Sequence, residues 1–292
     1  MHESRYHFDQ SVWWCSALRD LARLFLDRVT LPEDATVLDV GCGPGVALDM
    51  LSEYASRVVG MDISANAVEE ARRAHANAEL RHGDANRLAD CFDRETFDMV
   101  TCFGVLYHKW VTDETEVLRQ AWRILKPGGV ILVTDPAFNF LRRRCDHVMM
   151  AGRRFTMSSM RGRLEGVGFE LLGGTYFYSA CFVPVLLMAL WDRVCGSKNI
   201  DKPILELVKP PAILNEAMKL MMAGERALIR LFGGVSFGVQ LLCLARKPRH
   251  VATRDNLQVA RSIRGAWKHA LGEPSNHGVE AKSPAQTADN LY

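Results

Sequence analysis

Apolar residues fall at positions 14, 18, 21, 22, 25 and 29, so SVWWCSALRDLARLFLDRV predicts an amphipathic helix, with Pro32 marking its end. Downstream the pattern shortens to runs of strand length: TVLDV (36–40), RVVGMDI (57–63), AELRHGD (78–84), FDMVTCF (97–103) and GVILVTD (129–135). Helical patterns separate them, namely GVALDMLSEYA, SANAVEEARRAHA and DETEVLRQAWRIL. Strands alternating with helices predict an α/β fold whose parallel sheet is covered on both faces. KPGG at 126–129 reads as the breaker that ends a helix and starts a strand.

Past Asp135 the rhythm changes. Residues 137–165 are basic and polar, GFELLGGTYF is a further strand, 182–231 reads as helices, and GVQLLCLARKP (238–248) is a last strand closed by Pro248. No residue from Leu171 to Trp191 is charged. A spanning helix needs about 20 such residues, but Gly173, Gly174 and Pro184 interrupt the run. It therefore predicts a strand followed by a buried or interfacial helix. From 249 onward core-forming density is lost, and GEPSNHGVEAKSPAQTADN predicts disorder. Before it, 256–271 has the pattern of a basic amphipathic helix with Trp267, suited to docking on its own domain or to lying on a membrane.

Composition narrows the class only a little. The 292 residues are 48% hydrophobic and 24% charged, with a formal net charge of +2, which does not call for nucleic acid as a partner. Eight cysteines are scattered without C-x-x-C or Cys/His pairing, so neither a zinc site nor a disulfide framework is predicted. The polar start, MHESRYHFDQ, does not read as a secretory signal. These features predict a cytoplasmic protein, with peripheral membrane contact left open.

The chemistry lies where the first strand ends. LDVGCGPG places glycines at 41, 43 and 45, a bare turn leading into a helix whose N-terminus offers unpaired N–H groups. The full dinucleotide fingerprint would need Gly or Ala at 46, and Val stands there. Asp62 ends the second strand at the distance where an acid accepts hydrogen bonds from ribose hydroxyls.

In order, VLDVGCGPG (37–45), VVGMDIS (58–64), GDANRL (83–88), FDMVTCFGVLYH (97–108) and LKPGGVILVTDP (125–136) resemble the class I S-adenosylmethionine-dependent methyltransferases. The resemblance covers 36–136 strongly. It implies a Rossmann-like doubly wound, mostly parallel sheet of about seven strands, the last antiparallel, with a helical insertion before it. It also implies S-adenosylmethionine as cofactor. Asp39, Gly41 and Gly43 would line its methionine end, Asp62 would take the ribose with Ile63 beside it, and Asp84 the adenine amino group with Ala85. Phe103 would border it.

On this reading 1–35 is an N-terminal helical segment and 36–136 the cofactor-binding core. Residues 137–248 form the substrate side and 249–292 a tail. Such a cofactor brings the reactive methyl, and the protein supplies placement and, for hydroxyl or ammonium acceptors, a base. His108 and Tyr107, just past the fourth strand, are the catalytic candidates. TDPAF (134–138) looks like an amino-methylation signature but follows the fifth strand rather than the fourth, and a Pro-Cys nucleophile is missing. Both points disfavour nucleic-acid bases as acceptors. Seven arginines against two acids in 141–165 suit either an anionic ligand or a solvated face. The Met- and Leu-rich 182–231 reads as core or lid, or as a pliable apolar site. The expected acceptor is a small organic or lipid-linked molecule methylated on O, N or C. A non-catalytic binding protein of the same fold and a nicotinamide oxidoreductase remain as alternatives.

Overall fold

The computed structural model describes residues 11–147, 150–194 and 210–249. The helix expected over 256–271 and the expected disordered tail lie outside the described residues.

Seven strands form one sheet, in the order β3-β2-β1-β4-β5-β7-β6. They are β1 (Thr36–Val40), β2 (Arg57–Asp62), β3 (Glu79–His82), β4 (Phe97–Phe103), β5 (Leu125–Pro136), β6 (Glu170–Phe177) and β7 (Gln240–Arg246). The first five run parallel, and β7 is antiparallel to both β5 and β6. The register Leu38↔Val59 and Leu38↔Val100 puts apolar residues side by side on one face.

Alternate residues of each strand serve opposite layers. Leu38, Val40, Val59, Val100, Ile131 and Val133 pack under α4 (Leu88–Cys91), α5 (Glu114–Ile124) and α6 (Met157–Val167). Val37, Val58, Met99, Val130 and Leu132 pack under α1 (Trp13–Leu26), α2 (Leu48–Leu51), α3 (Ala65–Ala74) and α8 (Ala212–Phe232). The remaining helix, α7 (Phe182–Val194), carries Pro184 in its first turn, where a missing N–H breaks no helical bond. Among the described residues no helix is long and apolar enough to cross a membrane.

Three boundaries differ from the sequence pattern. The helix expected over 45–55 shrinks to Leu48–Leu51, because its first residues turn through the glycine loop: Gly45 N–H donates to Cys42 O at 3.0 Å. KPGG does not separate α5 from β5 but lies inside the strand. The α5–β5 change comes directly at Ile124 and Leu125, and the β4–β5 register shifts between Phe97 and Met99 to absorb the irregularity. Helix α1 ends at Leu26, ahead of the expected Val29.

The helix expected as core or lid at the end of 182–231 is turned the other way. Helix α8 buries Asn215, Met222, Glu225 and Ile229, while Ile213, Leu220 and Leu231 are 87%, 75% and 75% exposed. Its two buried polar residues are fully used. Asn215 Oδ1 accepts from Trp13 N at 3.0 Å, capping α1 from a distance. Glu225 accepts from the amides of Tyr178 (3.0 Å) and Ser179 (2.7 Å). Buried polar groups demand such partners, and their satisfaction fixes which side of α8 faces in.

Candidate active site

The chain runs outward from β1 through β2 to β3 and then crosses back to lay β4 beside β1. A crevice opens at such a reversal, beyond the C-terminal ends of the strands. Asp39, the glycine loop, Asp62, Asp84, Phe103 and Asp135 all lie at or just past those ends.

The glycine loop continues the sheet before it turns. The amides of Gly41 and Cys42 both donate to Met61 O, at 2.7 and 3.1 Å. Gly41 has φ +68°, and a Cβ there would come within 2.5 Å of Val105 Cγ2, so only glycine fits. The next glycine, Gly43, has open space where a Cβ would stand. Asp62 ties the turn to β2: Oδ2 accepts from Gly43 N and Oδ1 from Ser64 N, both at 2.8 Å. Ser64 in turn caps α3, accepting from Ala67 N at 3.3 Å.

The adjoining loops are laced to this centre. Gly83 N donates to Asp62 O at 2.9 Å, bringing Asp84 and Ala85 beside the end of β2. Asp84 Oδ1 accepts from Asn86 N and Nδ2 at 2.9 and 2.7 Å, and Asn86 Nδ2 also donates to Trp110 O at 2.8 Å. Ile63 presents an exposed apolar side chain at the rim, and Phe103 is half-buried at the end of β4.

Charge in the crevice is negative. Asp39 is 2% exposed and accepts from Thr101 Oγ1 at 2.6 Å. Burial pushes its pKa up to about 7, the Thr101 bond opposes this, and the charge of Asp62 adds to it. Two carboxylates beside a bare turn suit a cationic ligand better than a pyrophosphate. The donor set therefore fits S-adenosylmethionine, whose sulfonium and ammonium are both positive.

Just beyond β4, Tyr107 and His108 form a turn held from several sides. Tyr107 N donates to Asp135 Oδ1 at 3.0 Å, and Tyr107 O accepts from Gly152 N at 2.8 Å. Lys109 N donates to Met150 O at 2.9 Å. His108 packs edge-on to Trp110 with ring centroids 5.7 Å apart, and burial lowers its pKa while the nearby Asp62 charge partly offsets this. Burial pushes the Tyr107 hydroxyl up to about 12, with Asp135 adding to it.

Several residues of this centre escape sequence reading. Asp135 is fully buried, its pKa is raised well above the usual range by burial, and its Oδ2 has no partner among the described residues. Its place at the end of a strand was the available signal, obscured by the TDPAF likeness. His75, at the end of α3, bonds Asp49 Oδ1 at 2.7 Å and presses its ring against Gly45. The basic run is spent on internal pairs: Arg154 with Asp146, Arg153 and Arg163 with Glu114, and Arg143 with Asp192. Glu114 and Asp192 lie far away along the chain, so spacing does not reveal them.

Past β5, Phe138 stacks on Tyr176 (4.6 Å between centroids) and on Phe140 (5.0 Å), and Phe182 meets both Phe138 and Phe140 edge-on. Phe138 holds φ +55°, a strained value for a residue with a side chain. Both Pro136 and Phe177 pair with Gln240, so this aromatic cluster stands at the same end of the sheet as the glycine loop.

A seven-stranded doubly wound sheet with a bare turn after β1 and an acid after β2 defines a Rossmann-like nucleoside-binding protein. Residues 37–129, about a third of the chain, match the family described as a methyltransferase domain, and the match supports a class I S-adenosylmethionine-dependent methyltransferase with S-adenosylmethionine as the cofactor it implies. Over 100 residues it is 34% identical to a Mycolicibacterium smegmatis protein named "Probable S-adenosylmethionine-dependent methyltransferase", covering 34% of this chain and 37% of that one. Over 145 residues it is 32% identical to the ubiquinone biosynthesis O-methyltransferase of Alkalilimnicola ehrlichii, covering 45% of this chain and 58% of the other. The matches thus span about a third to three-fifths of these curated relatives. Among solved structures, the cyclase SpnF superposes with a TM-score of 0.53 at 22% identity, covering 84% of this chain and 86% of that one. At that identity the likeness concerns the fold.

Proposed function

We propose that this chain transfers a methyl group from S-adenosylmethionine to O, N or C of a small organic or lipid-linked acceptor. The observation that carries the reading is Asp62, whose carboxylate joins the Gly43 and Ser64 amides and so stands fixed between the bare turn and α3. In the proposal Asp62 holds the ribose, with Ile63 against the adenine and Asp84 and Ala85 at its amino group. Asp39, Gly41 and Gly43 surround the methionine end, and Phe103 closes the floor. Residues 36–136 are then the cofactor domain and 137–248 the acceptor side, with 1–35 an N-terminal helical segment.

When bound, the cofactor supplies an electrophilic methyl group. The protein's task is to place the acceptor atom and, where it carries a proton, to remove it. His108 is the base in this account, because its lowered pKa keeps the imidazole neutral near pH 7. Tyr107, pushed up to about 12, serves to shape the site. The aromatic cluster at Phe138, Tyr176 and Phe182, with exposed Leu187 and Trp191 nearby on α7, supports an apolar acceptor and an apolar approach to it. Internal pairing of most arginines in 141–165 supports a small acceptor over nucleic acid.

The test is incubation with methyl-labelled S-adenosylmethionine and a metabolite extract, followed by mass spectrometry. A labelled apolar product is expected. Cofactor binding without any labelled product would favour a non-catalytic binding protein, and thermal stabilisation by a nicotinamide dinucleotide alone would favour an oxidoreductase. If His108 is the base, turnover is flat at neutral pH and falls only below the ordinary histidine range, because burial lowers its pKa. His108→Gln then removes that limb; an unchanged profile eliminates the role.

A further inference from the structure

Helix α8 turns an apolar face outward. Winding at about 100° per residue places Ile213, Ala217, Leu220, Gly224, Ala227 and Leu231 within about 40° of one line. All six are exposed, and the line runs opposite the buried Asn215, Met222 and Ile229. Beside it, Leu214, Met221 and Leu228 repeat every seven residues and are 52%, 48% and 50% exposed. A uniform seven-residue repeat of this kind is what a second helix meets in side-by-side packing.

The spacing of the line, in steps of four, three, four, three and four residues, reads the same from either end. Set antiparallel to itself about a two-fold axis near Met222, the helix brings Ile213 opposite the second copy's Leu231. Ala217 falls opposite its Ala227, and Leu220 opposite its Gly224. Gly224 has nothing within 4 Å of where a Cβ would stand, so it leaves a notch for Leu220. Self-complementarity of this sort is the requirement of a two-fold interface.

We propose that α8 is the contact between two copies of this chain, paired antiparallel through this face. The small residues decide against a lipid surface, since Ala217, Gly224 and Ala227 add little to insertion but allow close helix approach. The flanking cations point the same way. Of the three cations on that side, Lys219 is engaged by Glu216 at 2.8 Å and Arg226 by Asp20 at 2.7 Å, which leaves the exposed Arg230 as the one free to extend among the described residues. The large side chains on this face, Phe232 included, are half to nine-tenths exposed. Together they offer on the order of 500 Å² per copy. Two copies reach about 1,000 Å², the lower bound for a specific interface.

The experiment is sedimentation equilibrium on the full chain, with Leu220→Glu and Gly224→Lys variants alone and mixed. The parent is expected to be a dimer. Each variant alone weakens association by about tenfold or more. Mixing the two restores a heterodimer, because the carboxylate introduced in one copy then faces the ammonium introduced in the other. A monomeric parent, a dimer indifferent to both variants, or no recovery on mixing would overturn the proposal. So would flotation of a monomeric parent with phospholipid vesicles that Leu220→Glu abolishes. Circular dichroism of each variant confirms that α8 is still formed.

Discussion

The sheet's β1–β5 half and the α8 layer use the same kinds of residue toward opposite ends. In the first, Leu38, Val59, Val100 and Ile131 are wholly buried and the polar groups collect at the strand ends, where a ligand is needed. In the second, the polar residues Asn215 and Glu225 face inward beside Met222 and Ile229 as tailored partners for α1 and the Tyr178 turn, while Ile213, Leu220 and Leu231 face out. The contrast shows that apolar content alone does not mark a core. A helix is oriented by whichever side has its hydrogen bonds answered, and the remaining apolar side is then available for association.

Breaking the first region has the largest consequence. Leu38→Ala leaves a cavity between β2 and β4 and is expected to lower unfolding free energy by about 2–5 kcal/mol in urea denaturation. Gly41→Ala is next. Its Cβ would collide with Val105 at a positive φ, so a loss of about 1–3 kcal/mol is expected, with weaker cofactor binding in the same titration.

A smaller effect is read in pH. Asp39 holds a folded pKa raised to about 7 from 3.8, so its contribution to stability is greatest below the ordinary carboxylate range and declines as pH rises through about 7. A cationic ligand favours the ionised form, so S-adenosylmethionine affinity should rise about tenfold between about pH 6 and pH 8. Asp39→Asn should flatten that rise. The smallest effect belongs to the second region: Leu220→Ala in dilute solution should leave monomer stability within about 0.5 kcal/mol of the parent. A loss comparable with that of Leu38→Ala would erase the distinction between the regions.

The parallel core was readable because a strand buried on both faces must be a nearly continuous apolar run, and TVLDV, FDMVTCF and GVILVTD each are. The bare turn and Asp62 were readable for a related reason: their spacing is set by one strand, one short helix and the next strand. Periodicity in α8 showed a stripe but not its direction, since that was decided by Trp13 and Tyr178, far away in sequence. The arginines of 141–165 looked like a basic surface because Glu114 and Asp192 are absent from their neighbourhood in the chain. Asp135 was hidden by a likeness to a different motif, and His75 by standing at a helix end remote from the loop it supports.

The central claim is tested most directly by calorimetric titration of the full chain with S-adenosylmethionine and its demethylated product, beside Asp62→Ala. The account predicts saturable binding of both ligands to the parent and affinity about 100-fold weaker in the variant. No heat with either ligand on folded protein, or equal affinity in Asp62→Ala, would contradict it.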